Sequence, residues 1–129
     1  MTQDDKQLLL KDLSARLPYG VVVETQLVNA PRAKYPVLKV LKSYMLCDFM
    51  LSIENVILKP YLRPMSSMTE EEKAEYCDLQ DKFLLSSQYP VNYGYALFDW
   101  LNANHFDYRG LIEKGLAISI TKENNPYNK

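Results

Sequence analysis

Proline placement is the strongest constraint on how this chain can fold, because each ring removes a backbone donor and pushes the preceding residue out of helical geometry. Pro18 ends any helix begun upstream, Pro31 belongs to the turn Asn29-Ala30-Pro31, and Pro90 lies in a loop spanning Ser86 to Asn92. Pro60 and Pro64 mark Lys59-Pro60-Tyr61-Leu62-Arg63-Pro64 as an ordered linker. The chain must therefore be assembled from short pieces. At 129 residues, 47% of them hydrophobic, those pieces can share one core, so residues 1–129 read as a single domain.

Each piece carries its own period. Leu9, Leu10, Leu13 and Leu17 recur at helical spacing behind Thr2, a capping residue, and Asp4 and Asp5, which complement a helix dipole; a helix is predicted from Gln3 to Arg16 within a segment 1–17. Leu17-Pro18-Tyr19-Gly20 then forms a helix-to-strand corner. In the β region, 20–64, Val21, Val23, Thr25 and Leu27 alternate with Val22, Glu24 and Gln26 as a half-buried strand requires. Three further strand-like runs follow, Tyr35 to Leu41, Tyr44 to Leu51 and Asn55 to Leu58. Brief connections and no crossover helix argue for an antiparallel meander over a parallel sheet.

The segment 69–121 reads as helical with a final strand. Thr69-Glu70-Glu71-Glu72 has the spacing of a capping box, and the helix behind it should reach Leu84, burying Ala74, Cys77, Leu79 or Phe83 and exposing Glu75, Asp78 and Lys82. A second helix is expected from Tyr93 to Asn104, then a corner at His105-Phe106-Asp107, with Asp107 capping a short helix through Glu113 and Gly115 ending it. Leu116, Ile118 and Ile120 alternate as a final edge strand before a polar tail, 122–129. The predicted fold is α+β: an N-terminal helix, a small antiparallel SH3-like barrel or curled sheet, then two to three C-terminal helices. An edge near Ile118 or Val56 could pair with a second copy, which leaves the oligomeric state open.

Few residues could carry chemistry. His105 is the single histidine, Cys47 and Cys77 are read as reduced, partly buried thiols, and His105-x-Asp107 offers too few ligands for a metal centre. His105 is better suited to closing a helix C-terminus, where positive charge is favourable. The four glycines form no phosphate-binding loop, and dipole and capping account for Glu70, Glu71 and Glu72. The expectation is a non-enzymatic protein with no catalytic residue, metal or cofactor. An acidic N-terminus and apolar runs too short to cross a bilayer place it in the cytoplasm, away from membranes.

The formal net charge is −1, yet Ala30 to Pro64 carries Arg32, Lys34, Lys39, Lys42, Lys59 and Arg63 against Asp48 and Glu54 alone. Tyr35, Tyr44, Phe49 and Tyr61 are interleaved with those cations. The candidate binding surface is therefore Arg32, Lys34, Tyr35, Lys39, Lys42, Tyr44, Lys59, Tyr61 and Arg63. Tyrosine anchors suit a protein partner, and the same cations suit nucleic acid. They equally suit docking onto the chain's own second half, where ten acidic residues face six basic ones.

Three blocks add a resemblance: Lys11 to Val21 with its Leu-Pro-Tyr-Gly, Lys59 to Glu72, and Asp99-Trp100-Leu101-Asn102 continuing through His105 to Leu116. Together with an Asn-Pro-Tyr tail they resemble a family of small uncharacterised proteins of gut bacteria, their phages and mobile elements. The resemblance implies an accessory role and no known activity. The β region between the first two blocks is this chain's own, which makes it the place where partner choice would reside.

Overall fold

The computed structural model describes residues 2–27, 37–46, 56–85 and 93–127. Helix α1, Gln3–Arg16, opens with a reciprocal cap: the Asp5 amide donates to Thr2 Oγ1 (3.0 Å) and the Thr2 amide to the Asp5 carboxylate (3.2 Å). Leu17–Tyr19 tightens into one 3₁₀ turn, and Gly20, at φ 69°, takes the left-handed conformation that swings the chain into the sheet. Strand β1, Val22–Leu27, pairs antiparallel with β2, Val37–Val40, on one side and β3, Val56–Leu62, on the other. Helices α2, Glu70–Leu85, and α3, Tyr93–Ala103, precede a two-residue strand β4, Ile118–Ser119.

The architecture is α+β, with the described strands in one open sheet of order β2-β1-β3-β4. They do not close into a barrel. Nor are they all antiparallel: β4 lies parallel to β3, Tyr61 opposite Ile118 and Leu62 opposite Ser119. That pairing needs a long crossover, and the two helices supply it. The expected linker from Lys59 is strand as far as Leu62. Pro60 is tolerated because β3 changes partners there, with β1 engaged up to Pro60 and β4 only from Tyr61, so no ladder bond need be lost. Val56 pairs with Leu27 of β1 on one side only, since β4 reaches no further than Tyr61 and Leu62.

The run expected as a strand from Tyr44 is a helical turn over residues 43–46; Leu41 and Met45, four apart, both reach the core. Its continuation to Leu51, Cys47, and the turn at Asn29 lie outside the described residues. On α2 the inward side chains are Glu72, Tyr76, Leu79 and Gln80, while Ala74, Cys77 and Phe83 are exposed, contrary to the apolar reading of that helix. After α3 the chain makes hydrogen-bonded turns instead of a further helix. Asp107 still organises them, its carboxylate accepting from the Leu111 and Ile112 amides at 2.8 and 2.9 Å.

Two apolar clusters result. Leu9 and Leu13 of α1 cover the sheet face made by Val21, Val23, Leu58 and Leu62, with Leu41, Met45, Leu111 and Leu116 filling the margins. Met68, Leu97, Leu101 and Phe106 form the second beneath α2 and α3, where Trp100 stacks on Phe106 with ring centroids 5.5 Å apart. Among the described residues, no helix is long and apolar enough to cross a membrane.

Candidate functional site

The predicted basic surface divides into two unlike ends. Arg63, at the end of β3, is held by the molecule itself: its guanidinium meets Glu72 through two parallel bonds of 2.7 Å, and its Cζ lies 4.2 Å from the Phe106 ring centroid. The same Glu72 carboxylate accepts from the Thr69 amide (2.9 Å) while the Glu72 amide donates to Thr69 Oγ1 (3.1 Å), so one residue closes the helix cap and fixes the strand end. The Arg63 hydrogen bonds above all hold this carboxyl down to about 2, overcoming the opposing effect of burial. Tyr61 is buried, its hydroxyl 3.2 Å from Glu24. Tyr61 is therefore closed off, and Arg63, about a quarter exposed, is engaged by its own chain instead of standing free as the expected patch required.

At the other end, β2 is one of the two outer strands of the described sheet. Leu38 and Val40 stand 50% and 45% exposed, Tyr44 58%, and Lys39 and Lys42 are exposed as well. Register explains the arrangement: Val40 faces Val22 and Leu38 faces Glu24 across the ladder, on the side of the sheet opposite Leu9 and Leu13. Lys59, half-buried, is also opposite Glu24. Arg32, Lys34 and Tyr35 lie outside the described residues.

A second polar group was not legible as a site. Asp12 and Arg16, one turn apart on the leucine face of α1, are both fully buried. Arg16 Nε donates to Asp12 (2.8 Å) and its Nη2 to the Phe106 carbonyl (2.6 Å), while Arg109 donates to the other Asp12 oxygen at 3.0 Å. Tyr108 lies beneath both guanidinium groups and its hydroxyl donates to Asn102 Oδ1 (2.8 Å). One carboxylate thus neutralises two cations in the seam between the apolar clusters. The only sequence signal was an acid and a base four residues apart among Leu9, Leu13 and Leu17.

His105 takes φ 61° directly after α3 and makes no contribution as a cation. Burial, with Arg16 and Arg63 nearby, depresses its imidazole to about 4, so the expectation of a positive group closing the helix is overturned. Its ring stacks on Tyr127, with centroids 3.8 Å apart and planes 8° from parallel. Cys77 is an exposed thiol on α2. Among the described residues, no group of three or more His, Cys, Asp or Glu could hold a metal ion. No family model, curated protein or solved structure matches this chain.

Proposed function

We propose that this is a non-enzymatic interaction protein of the cytoplasm, accessory to a phage or mobile element, that binds another protein through the β2 side of its sheet. The supporting observation is that Leu38, Val40 and Tyr44 are each about half exposed in a stretch that also carries exposed Lys39 and Lys42, with Leu38 and Val40 on one side of β2 and Lys39, in register with Val23, on the other. Apolar side chains interleaved with cations on an outer strand fit an extended partner segment that alternates apolar and acidic residues, its backbone extending the sheet. Lysine on that strand disfavours a second copy, which would bring like charges together.

Nucleic acid is the alternative reading, weakened because Arg63 and Tyr61 are engaged internally. A panel of extended apolar-acidic peptides and a set of single-stranded oligonucleotides, each titrated at low and at physiological salt, separates the two. Peptide binding that protects the Leu38 to Val40 amides from exchange is the expected result. Salt-sensitive oligonucleotide binding with no peptide binding would replace it by the alternative, and failure of both would remove the β2 surface as a binding site.

A further inference from the structure

Strands β1 and β3 pair directly as far as Val23 and Pro60. One step further Val22 stands opposite Tyr61, and there the ladder is completed by a side chain from far along the chain. The Val22 amide donates to Tyr127 Oη (2.9 Å), and the Tyr127 hydroxyl donates to the Tyr61 carbonyl (2.9 Å). A phenol thus bridges two backbone groups just beyond the end of the direct ladder. Its ring is held by the His105 imidazole. His105 is fixed in turn, its amide donating to the Asn102 carbonyl (3.1 Å) and its carbonyl accepting from the Arg63 amide (2.7 Å).

The segment that delivers Tyr127 is pinned at its start and turned near its end. The Ile120 amide donates to the Leu62 carbonyl (2.9 Å), the Asn124 side chain donates to the Ser119 carbonyl (3.1 Å), and the Tyr127 amide donates to Asn125 Oδ1 (3.0 Å). Between these points residues 121–124 are exposed. Only its end, the half-buried residues 125–127, turns inward, and within it the tyrosine makes the bonds to the sheet. The slot it fills has a flat aromatic wall, one donor and one acceptor, which fits a phenol ring with a hydroxyl and no other natural side chain as well: phenylalanine leaves both backbone groups unpaired.

We propose that this slot is a recognition site for a tyrosine carried on a peptide segment, filled in cis by Tyr127, so that residues 121–127 form a displaceable latch over the β1–β3 junction. Opening the latch frees the Val22 amide and Tyr61 carbonyl for a tyrosine from another chain.

The test uses full-length chains. In Tyr127→Phe the stack survives and the bridge does not, so exchange of the Val22 amide should accelerate about fivefold to tenfold. In Tyr127→Ala the slot is empty, and a peptide of sequence Thr121–Lys129 added in trans should bind it saturably and restore protection at Val22. Wild-type chain should not take up that peptide at the same concentration, and a peptide with Phe in place of Tyr127 should bind about tenfold more weakly. Unchanged Val22 exchange in Tyr127→Phe would overturn the proposal, as would equal uptake of peptide by wild type and Tyr127→Ala or equal binding of the two peptides. Should Tyr127→Ala not fold, the Tyr127→Phe exchange measurement decides alone.

Discussion

The two ends of the sheet treat their cations in opposite ways. At the β3 end, Arg63 is locked between the Glu72 carboxylate and the Phe106 ring, and Arg16 and Arg109 share Asp12 in the interior nearby. At the β2 end, Lys39 and Lys42 are exposed, as are Leu38, Val40 and Tyr44, with Lys39 on the other side of the strand from Leu38 and Val40. The contrast follows from residue chemistry as well as position. A planar guanidinium can satisfy several acceptors and stack on a ring in the same pose, which suits burial; an ammonium is a strongly hydrated point charge that favours solvent. Basic composition alone therefore does not define a binding surface: Arg16, Arg63 and Arg109 serve cohesion, while Lys39 and Lys42 stand exposed.

The largest expected effect tests the cohesive end. Replacing Asp12 by Ala leaves two guanidinium groups without their shared carboxylate, and should lower unfolding free energy by about 3–5 kcal/mol in urea titrations. A loss of the size seen for an ordinary surface substitution would mean that Arg16 and Arg109 find other acceptors, and the contrast between the two ends would shrink.

Next comes the histidine at the same end. Unfolded, the imidazole takes up a proton near its ordinary value of 6.5, whereas in the folded chain it does so only at about 4. Over that window the unfolded state binds more protons, so stability should fall as pH drops from 6.5 to 4, by about 1–2 kcal/mol once partial solvent access is allowed for. In His105→Asn, which tolerates the left-handed backbone, that slope should vanish from denaturation curves measured across the window.

Glu72→Gln should cost about 1 kcal/mol at neutral pH, held low by solvent screening. The carboxyl titrates at about 2 when folded against an ordinary 4.5, so its contribution is complete above 4.5 and is lost as pH falls toward 2. Acid titration of stability should show this lower window in wild type and not in the variant, separately from the histidine window. The smallest effect on stability belongs to the open end: Leu38→Lys with Val40→Lys should change unfolding free energy by no more than about 0.5 kcal/mol, yet abolish binding of the apolar-acidic peptides. A large destabilisation there would show that β2's outer side is part of the fold's cohesion and not a surface kept for a partner.

What the sequence alone determined was whatever closes within a turn or two of chain. Thr2 with Asp5 and Thr69 with Glu72 cap their helices as their spacing demands, Leu17 to Gly20 makes its corner, and Asp107 gathers the amides behind it. Those contacts span three to five residues, so local backbone geometry fixes who can reach whom. Alternation likewise placed Val21 and Val23 in the core. Tertiary structure decided everything that needed a distant partner to arrive. Glu72 was legible as a cap but not as the anchor of Arg63; Lys59 to Leu62 became a strand only because β1 and β4 are there to pair with it. Tyr127 looked like one aromatic in a polar tail until the fold brought it, 105 positions along the chain, to the amide of Val22. The burial of Asp12 and Arg16 was equally hidden, since an acid and a base four apart on a helix normally face water, and only packing against Phe106 and Arg109 makes the interior the better place for them.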